Sequence, residues 1–205
     1  MKYKPANICL AITGASGVQY ALRLLQCLVE AGETVYVLVS APAQIVIDME
    51  TDLKLPARPR DMQKYLTALY SAAPDQIQVF GKEEWTAPVA SGSGVPEAMV
   101  VCPCTTGTLA AIACGSSNNL IERAADVVLK ERKTLILVPR ESPFSEIHLE
   151  NMLKLARVGA IILPPNPGFY YQPKALQDVI DFVVARILDH LGVEHQLLPR
   201  WGIQE

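Results

Sequence analysis

Residues 8–17 read ICLAITGASG, and this stretch indicates the fold. The apolar run Ile8–Thr13 predicts a buried strand, and the glycines that follow it predict a tight turn. The spacing of apolar residues then predicts an amphipathic helix over Val18–Ala31, which Gly32 ends. A buried strand that leads through a glycine turn into a helix is the repeating unit of a parallel α/β sheet.

The same alternation continues along the chain. Apolar or β-branched runs predict further strands at Thr34–Val39, Gln76–Phe80, Ala98–Val101, Thr134–Pro139 and Ala160–Leu163. Helices are predicted over Pro42–Glu50, Asp61–Ser71, Thr108–Cys114, Leu120–Glu131, Ser145–Arg157 and Pro173–Leu191, with loops at Leu53–Arg60 and Ala87–Gly94. Continuous apolar strands are typical of sheets covered on both faces. The sequence therefore predicts one α/β domain over residues 1–205, with a doubly wound (Rossmann- or flavodoxin-like), mainly parallel sheet and helices on both faces. Ligands of such folds bind at the carboxyl ends of the strands.

Composition narrows the class of protein. The 205 residues carry a net charge of −3, which argues against a nucleic-acid binder. The apolar runs are far shorter than the ~20 residues of a membrane span, and no apolar signal segment follows Met1, so we expect a cytoplasmic protein. Charged residues make up only 19%, which indicates that much of the surface is buried in an oligomer.

The cysteines and histidines do not predict a metal site. Five cysteines, an odd number lying mostly in apolar runs, indicate reduced and buried thiols. Cys102 and Cys104 form a C-x-C pair rather than the C-x-x-C of redox or zinc sites, and the three histidines are scattered.

Glycine and hydroxyl groups follow the predicted strands. Gly14 and Gly17 would let backbone amides and a helix N-terminus approach a phosphate, although a plain tight turn capped by Ser16 fits the spacing equally well. The second strand ends at Ser40, with no carboxylate before Asp48. A dinucleotide fold usually carries an acidic residue there, so this position favours a mononucleotide such as FMN, and a simple helix cap at Ser40 remains an equal alternative.

The fourth predicted strand is followed by Thr105, Thr106, Gly107 and Thr108, whose hydroxyls and amides suit a phosphate or the polar edge of a flavin. An ordinary N-cap is a strong competing interpretation of this segment. The serine and glycine residues at 91–94 fit either a ligand loop or a flexible segment.

Four cations stand out by position. Arg123 and Lys130 are seven residues apart and share one helix face, Arg140 directly follows a strand, and Arg186 lies in an apolar helix. Each cation alone is more often structural than functional. Convergence of several of them on one sheet edge would indicate an anion site.

Several longer segments, taken in order, resemble the UbiX-type flavin prenyltransferases. The resemblance rests on residues 12–17 (ITGASG), the pair at 50–51, residues 119–132 (NLIERAADVVLKER), residues 137–143 (LVPRESP), residues 168–173 (GFYYQP) and the closing Arg200-Trp201. It extends over nearly the whole chain.

The resemblance implies that the protein binds reduced FMN and receives a dimethylallyl group from dimethylallyl monophosphate. The group would bond N5 and then C6 of the flavin without a metal ion, and the prenylated FMN would pass to a UbiD-type decarboxylase, for example in ubiquinone biosynthesis. The family forms homododecamers with active sites between subunits. The tail from about residue 192 would then be an oligomer or active-site arm.

The resemblance also assigns roles by position. It implies that FMN is held by Gly14, Ala15, Ser16, Ser40, Ser91, Thr105, Thr106, Gly107, Thr108 and Arg140. It implies that the prenyl phosphate is held by Arg123, Lys130, Arg140, Tyr170 and Arg186. The catalytic group would be Ser16, Glu50, Lys130, Glu141 and Trp201, with Trp85 beside the prenyl group.

The chemistry of an allylic phosphate requires such residues. Cations must stabilise the departing oxygens, and the chain lacks the D-D-x-x-D run that holds Mg²⁺ in most prenyl transferases. Aromatic rings such as those of Trp201 and Trp85 stabilise an allyl cation. Glu141 would accept the proton lost from C6, and Glu50 would tune protonation at N5.

Each of these three residues also has a structural interpretation. Glu50 could lie at an exposed helix end, Glu141 could form an ion pair with Arg140, and Trp201 could pack in an oligomer arm. Two other functions share the architecture: an FMN-dependent cysteine-type decarboxylase and a non-catalytic flavin carrier. The decarboxylases rely on a P-x-M-N-x-x-M-W segment and a histidine, and residues 143–152 (PFSEIHLENM) do not carry that pattern.

Overall fold

A computed structural model of the protein describes residues 7–198, and all six strands in this range form one parallel sheet. The strands are β1 (Asn7–Ile12), β2 (Thr34–Val39), β3 (Ile77–Phe80), β4 (Ala98–Cys104), β5 (Thr134–Pro139) and β6 (Ile161–Ile162). Their order in the sheet is β3-β2-β1-β4-β5-β6. The predicted fold class is confirmed. Trp201 and the end of the predicted tail lie outside the described residues.

The helices are α1 (Val18–Glu30), α2 (Ala41–Glu50), α3 (Pro59–Leu69), α4 (Thr106–Ala113), α5 (Leu120–Lys130), α6 (Glu146–Arg157) and α7 (Leu176–Leu191). Short 3₁₀ turns at Pro88–Ala90, Gly92–Gly94 and Phe169–Tyr171 interrupt the loops. Of the helices in the described range, none is long and apolar enough to cross a membrane.

Two hydrophobic cores cover the two faces of the sheet, because successive side chains of a strand point to opposite faces. Leu10 and Val100 face the first core, which contains the buried sides of α1, α2, α3 and α7. Cys9 and Met99 face the second core, which contains the buried sides of α4, α5 and α6. Helices α5 and α7 therefore lie on opposite faces.

Most differences from the predicted element bounds have local causes. Helix α3 begins at Pro59, two residues before the predicted start, because proline is well suited to the first helical position. Helix α4 begins at Thr106 because the Thr105 hydroxyl caps it. Helix α7 begins at Leu176 rather than Pro173, since the Asp178 carboxylate accepts the amides of Lys174 and Ala175 at 2.8 and 3.0 Å.

The carboxyl edge of the sheet has a topological switch point between β1 and β4. The chain proceeds from β1 toward β2 and β3 in one direction, and from β4 toward β5 and β6 in the other. The turns after β1 and β4 therefore diverge and leave a crevice, which is where ligands of open α/β sheets bind.

Candidate active site

The turn after β1 requires its glycines for geometric reasons. A Cβ on Gly14 would lie 2.4 Å from the Cβ of Pro42, at the start of α2, so this turn approaches α2 more closely than any side chain allows. Gly17 has a φ of 100° and forms the N-cap of α1. Gly17 has no side chain that could cap the helix, and Ser16 is not the N-cap residue, so the alternative of a turn capped by Ser16 is wrong.

Glu50, at the end of α2, takes the place of that cap. Its Oε2 accepts the amides of Gly17 at 2.9 Å and Val18 at 3.3 Å. Partial burial acts to raise the pKa of Glu50, but hydrogen bonds from the Ser16 side chain and the two amides, together with the charge of Arg140, outweigh it. The pKa of Glu50 therefore lies below its ordinary value, and the group is an anion at neutral pH.

A threonine that was not among the predicted site residues joins the two turns. Thr13 is 2% exposed, and its hydroxyl donates to the carbonyl of Pro103 at 2.7 Å. The same hydroxyl accepts the amide of Thr105 at 2.8 Å. A hydroxyl at the end of an otherwise apolar strand was the sequence signal that could have identified it.

The turn after β4 presents helix donors at the switch point. The Thr105 hydroxyl accepts the Thr108 amide at 3.1 Å and also donates to the Thr108 hydroxyl at 2.9 Å. The amides of Thr106 and Gly107 begin the helix and have no acceptor within it. A Cβ on Gly107 would meet no atom within 4 Å, so open space lies in front of this helix end. This donor set fits an anionic group such as the phosphate of a nucleotide.

Ser40 and Arg140 lie at the same carboxyl edge. The Ser40 hydroxyl accepts the Ala43 amide at 3.2 Å, as the alternative of a helix cap predicted. The backbone amide of Ser40 donates to the carbonyl of Ile12 at 3.0 Å. Arg140 follows β5 and lines a cavity of about 390 Å³ together with Ser16 and Gly17. The far wall of this cavity is formed by Tyr20, Pro165, Leu176 and Ile180. A cavity with an apolar wall and a few polar groups suits a ring system that carries an anionic chain.

A second cluster, the α5 cluster, comprises Arg123, Lys130, Glu131 and the loop at 90–93. The Arg123 guanidinium donates to the carbonyl of Ala90 at 3.0 Å and to the carboxylate of Asp126 at 3.1 Å. The Lys130 ammonium pairs with Glu131. A Cβ on Gly92 would lie 2.2 Å from the Glu131 carboxylate and 3.0 Å from the Lys130 ammonium, so this pair sits directly against the loop that contains Ser91.

A third cluster, the α7 cluster, comprises Arg186, Asp189, His195 and the aromatic residues around Tyr170. They line a cavity of about 510 Å³. The ring centroids of Tyr170 and Phe182 are 6.0 Å apart in an edge-to-face arrangement, and Arg186 pairs with Asp189. The structure therefore brings Tyr170 and Arg186 together, as the substrate-binding prediction requires.

Within the described chain, the predicted cations lie in three places. Arg140 lies at the carboxyl edge. Helix α5 runs back toward the amino ends of the strands, and over the seven residues from Arg123 to Lys130 it descends about 10 Å. Arg186 lies on α7, across the sheet from α5.

Of the remaining predicted residues, Ala15 is buried, and Glu141 and Trp85 are exposed. Glu141 accepts the amide of Ser142 at 3.0 Å, and no ion pair with Arg140 forms in residues 7–198. Trp85 is 48% exposed in the loop after β3.

The cysteines agree with the predicted buried thiols, except for Cys114, which is exposed. Burial raises the pKa of Cys104 to about 12 and the pKa of Cys102 further, so both thiols stay protonated. In the part of the chain that the structure describes, no group of three or more His, Cys, Asp or Glu side chains could hold a metal ion.

Comparisons with known proteins agree with this architecture. The family model described as Flavoprotein matches residues 1–188. The flavin prenyltransferase UbiX of Pseudomonas aeruginosa is 62% identical over 200 residues, which cover 98% of this chain and 96% of the relative. Among solved structures, AnUbiX (PadA1) in complex with FMN and dimethylallyl pyrophosphate has a TM-score of 0.86 and 39% identity, covering 98% of this chain and 100% of that chain. The dodecameric FMN-dependent UbiX-like decarboxylase from Escherichia coli O157:H7 has a TM-score of 0.83 and 39% identity, and the match covers 97% of this chain and 100% of that chain.

Fold and edge geometry define a doubly wound α/β protein with a nucleotide-type crevice at its switch point. With the sequence matches, the chain belongs to the flavoprotein family and, within it, to the flavin prenyltransferases of the UbiX type. A PPC decarboxylase complexed with pantothenoylaminoethenethiol is 16% identical with a TM-score of 0.60, and this likeness shows the fold alone.

Proposed function

We propose that the protein transfers the dimethylallyl group of dimethylallyl monophosphate to N5 and C6 of reduced FMN and forms prenylated FMN for a UbiD-type decarboxylase. The observation that carries the proposal is the crevice at the switch point, where the first amides of α4 and the Arg140 guanidinium lie at the carboxyl edge of the sheet. The 62% identity to a flavin prenyltransferase supports it. The alternative of a cysteine-type decarboxylase has support only from the shared fold.

The crevice is proposed as the FMN site. The amides of Thr106 and Gly107 and the guanidinium of Arg140 would bind the phosphate and the polar groups of the nucleotide. Gly14, Ala15, Ser16, Ser40 and the hydroxyls of Thr105 and Thr108 would form the rest of the wall. Ser91 lies in the α5 cluster, so its proposed contact with FMN would come from another copy of the chain.

The prenyl phosphate site is proposed to form between subunits. Lys130 and Arg123 lie on one face of the sheet, and Arg186 and Tyr170 lie on the other, so one chain does not unite them. Association of copies would bring an α5 cluster to an α7 cluster beside the crevice. Exposed apolar side chains on α6, such as Ile147 and Leu153 at 67% and 51%, and the dodecameric relative support a homododecamer.

The residues have separate chemical tasks in this proposal. Reduced FMN supplies the nucleophilic atoms N5 and C6. The charges of Lys130, Arg123 and Arg186 stabilise the phosphate as its C–O bond breaks, in place of a metal ion. Tyr170 would orient that phosphate, and the rings of Trp85 and Trp201 would lie against the allyl group.

The carboxylates would handle the protons. Glu141, exposed beside Arg140, would accept the proton lost from C6 when the second bond forms, directly or through the released phosphate. Glu50 is held by Ser16 and two amides next to Arg140, and as an anion it would accept a hydrogen bond from the N5 proton.

The role of Lys130 is tested by Lys130→Ala. The variant is expected to bind FMN with unchanged affinity and to form no prenylated flavin, because the departing phosphate loses a charge partner. Lys133→Ala is the matched control, since Lys133 lies three residues away and pairs with Glu97 at 2.7 Å. Wild-type activity of Lys130→Ala would contradict the proposed phosphate role.

Shared sites are tested by mixing two inactive variants. Subunits of Lys130→Ala and Arg186→Ala are unfolded together and reassembled, and prenylated FMN is measured by mass. Mixed oligomers contain some sites with both an intact α5 cluster and an intact α7 cluster, so activity should return in the mixture and in neither variant alone. No activity in correctly assembled mixed oligomers would contradict a site shared between the α5 and α7 faces.

A further inference from the structure

The segment after α7 turns back onto the last turn of that helix. Gly192 has a φ of 70° and ends the helix, with its amide donating to the carbonyl of Asp189 at 3.2 Å. The amide of Val193 donates to the carbonyl of Leu188 at 3.1 Å, and Val193 is buried. The reversal brings His195 against the side chains of α7.

His195 makes two hydrogen bonds there, and together they define its tautomer. Its Nδ1 accepts the amide of Leu197 at 3.3 Å. A neutral imidazole that accepts at Nδ1 carries its proton on Nε2, and Nε2 lies 3.2 Å from Oδ1 of Asp189. His195 is therefore the donor to Asp189.

Asp189 connects His195 to the guanidinium of Arg186. Its second oxygen, Oδ2, accepts from Arg186. The side chains of Arg186, Asp189 and His195 are 52%, 42% and 14% exposed. His195 is therefore the most buried of the three and restricts the positions of the other two. An exposed arginine paired with an exposed aspartate alone would sample many rotamers.

The same cavity contains Tyr170, whose ring packs edge-to-face on Phe182. The hydrogen bonds from His195 through Asp189 therefore hold Arg186 on the wall of this cavity, where the proposed function places the prenyl phosphate.

We propose that His195 is a positioning residue for prenyl transfer: through Asp189 it holds the Arg186 guanidinium in the orientation that receives the phosphate of the prenyl donor. The inference rests on the proposed function of Arg186. It also gives the segment after Gly192 a task within its own subunit.

The test measures the rate of prenyl transfer at varied dimethylallyl monophosphate in the full-length oligomer. His195→Ala is expected to raise the KM for dimethylallyl monophosphate roughly five- to tenfold, which is the effect of losing the net contribution of one intramolecular hydrogen bond. FMN affinity and the oligomeric state should not change. His190→Ala is the matched control, because His190 is an exposed histidine at the same end of α7.

Conservative variants separate positioning from packing. The side-chain amide nitrogen of the glutamine in His195→Gln can reach the position of Nε2, so the KM of this variant should be close to that of the wild type. His195→Asn can accept the Leu197 amide but is too short to reach Asp189, and its KM should stay high. In an Asp189→Asn background, His195→Ala should cause little further change in KM, because the two residues act in one chain.

The outcomes are distinguishable. If Arg186→Ala abolishes prenyl transfer but His195→Ala leaves the KM unchanged, or if His195→Gln and His195→Asn behave alike, the positioning role is overturned. If Arg186→Ala itself keeps wild-type activity, the phosphate role of Arg186 fails and the inference fails with it. If His195→Ala lowers FMN affinity or dissociates the oligomer to the same extent as it lowers activity, the residue has a general structural role and the inference is overturned.

Discussion

Replacing Gly14 with alanine should destabilise the protein at the edge of its proposed flavin site. The new Cβ would lie 2.4 Å from the Cβ of Pro42 and 3.2 Å from its carbonyl carbon. Ordinary carbon contacts begin near 3.5 Å, so the turn or the start of α2 must move by about 1 Å. The Pro42 atom belongs to a rigid ring, and overpacking of this kind costs about 1–3 kcal/mol. For a chain of 205 residues, each kcal/mol lowers Tm by about 2–4 °C.

The assay compares thermal unfolding and FMN titration of Gly14→Ala with Gly107→Ala. A Cβ at Gly107 meets nothing within 4 Å, and alanine favours a helix by about 0.5–1 kcal/mol, so Gly107→Ala should keep or raise the Tm. It should nevertheless weaken FMN binding, because the methyl group enters the space in front of the α4 amides. A wild-type Tm for Gly14→Ala would refute the argument that this turn lies too close to Pro42 for a side chain. Normal FMN binding by Gly107→Ala would refute the argument that FMN occupies the crevice in front of α4.

Two further predictions concern the polar contacts of the edge. Glu50→Gln should lower the apparent free energy of unfolding by about 0.5–1 kcal/mol at pH 7, because the charge at the start of α1 is lost, and exposed Asp52→Asn should not. Since the folded-state pKa of Glu50 lies below 4.5, its stabilisation is present above that pH, and the Tm difference between wild type and Glu50→Gln should shrink as the pH falls further. Thr13→Val should cost about 1–3 kcal/mol in a denaturant titration by leaving the Thr105 amide unpaired, whereas Thr13→Ser, which keeps the hydroxyl, should cost clearly less. An equal loss in both threonine variants would point to packing instead of the hydroxyl.

The fold was predictable because hydrophobic periodicity determines it. Most strands of the sheet are apolar or β-branched runs, and the glycine turn after β1 and the cap at Ser40 mark where helices begin. The starts of α3, α4 and α7 were missed because they depend on a proline at the first helical position, on the Thr105 hydroxyl and on the Asp178 carboxylate.

The site was predictable in kind but not in arrangement. The contact of Glu50 with Gly17 spans 33 residues of sequence, and that of Thr13 with Thr105 spans 92, so no local pattern contains either. The placement of α5 and α7 on opposite faces follows from the strand order, which the spacing of motifs does not specify. Residue types therefore indicated a phosphate and a flavin, and the structure was needed to separate the edge crevice from the α5 and α7 clusters.

The central claim is tested most directly by the mass of the flavin. Purified protein is mixed anaerobically with reduced FMN and dimethylallyl monophosphate, without added metal and with a chelator present, and the released flavin is weighed. The account predicts a gain of one C5H8 unit, with one phosphate released for each flavin. FMN of unchanged mass, recovered from protein shown to bind both FMN and the prenyl phosphate, would contradict it.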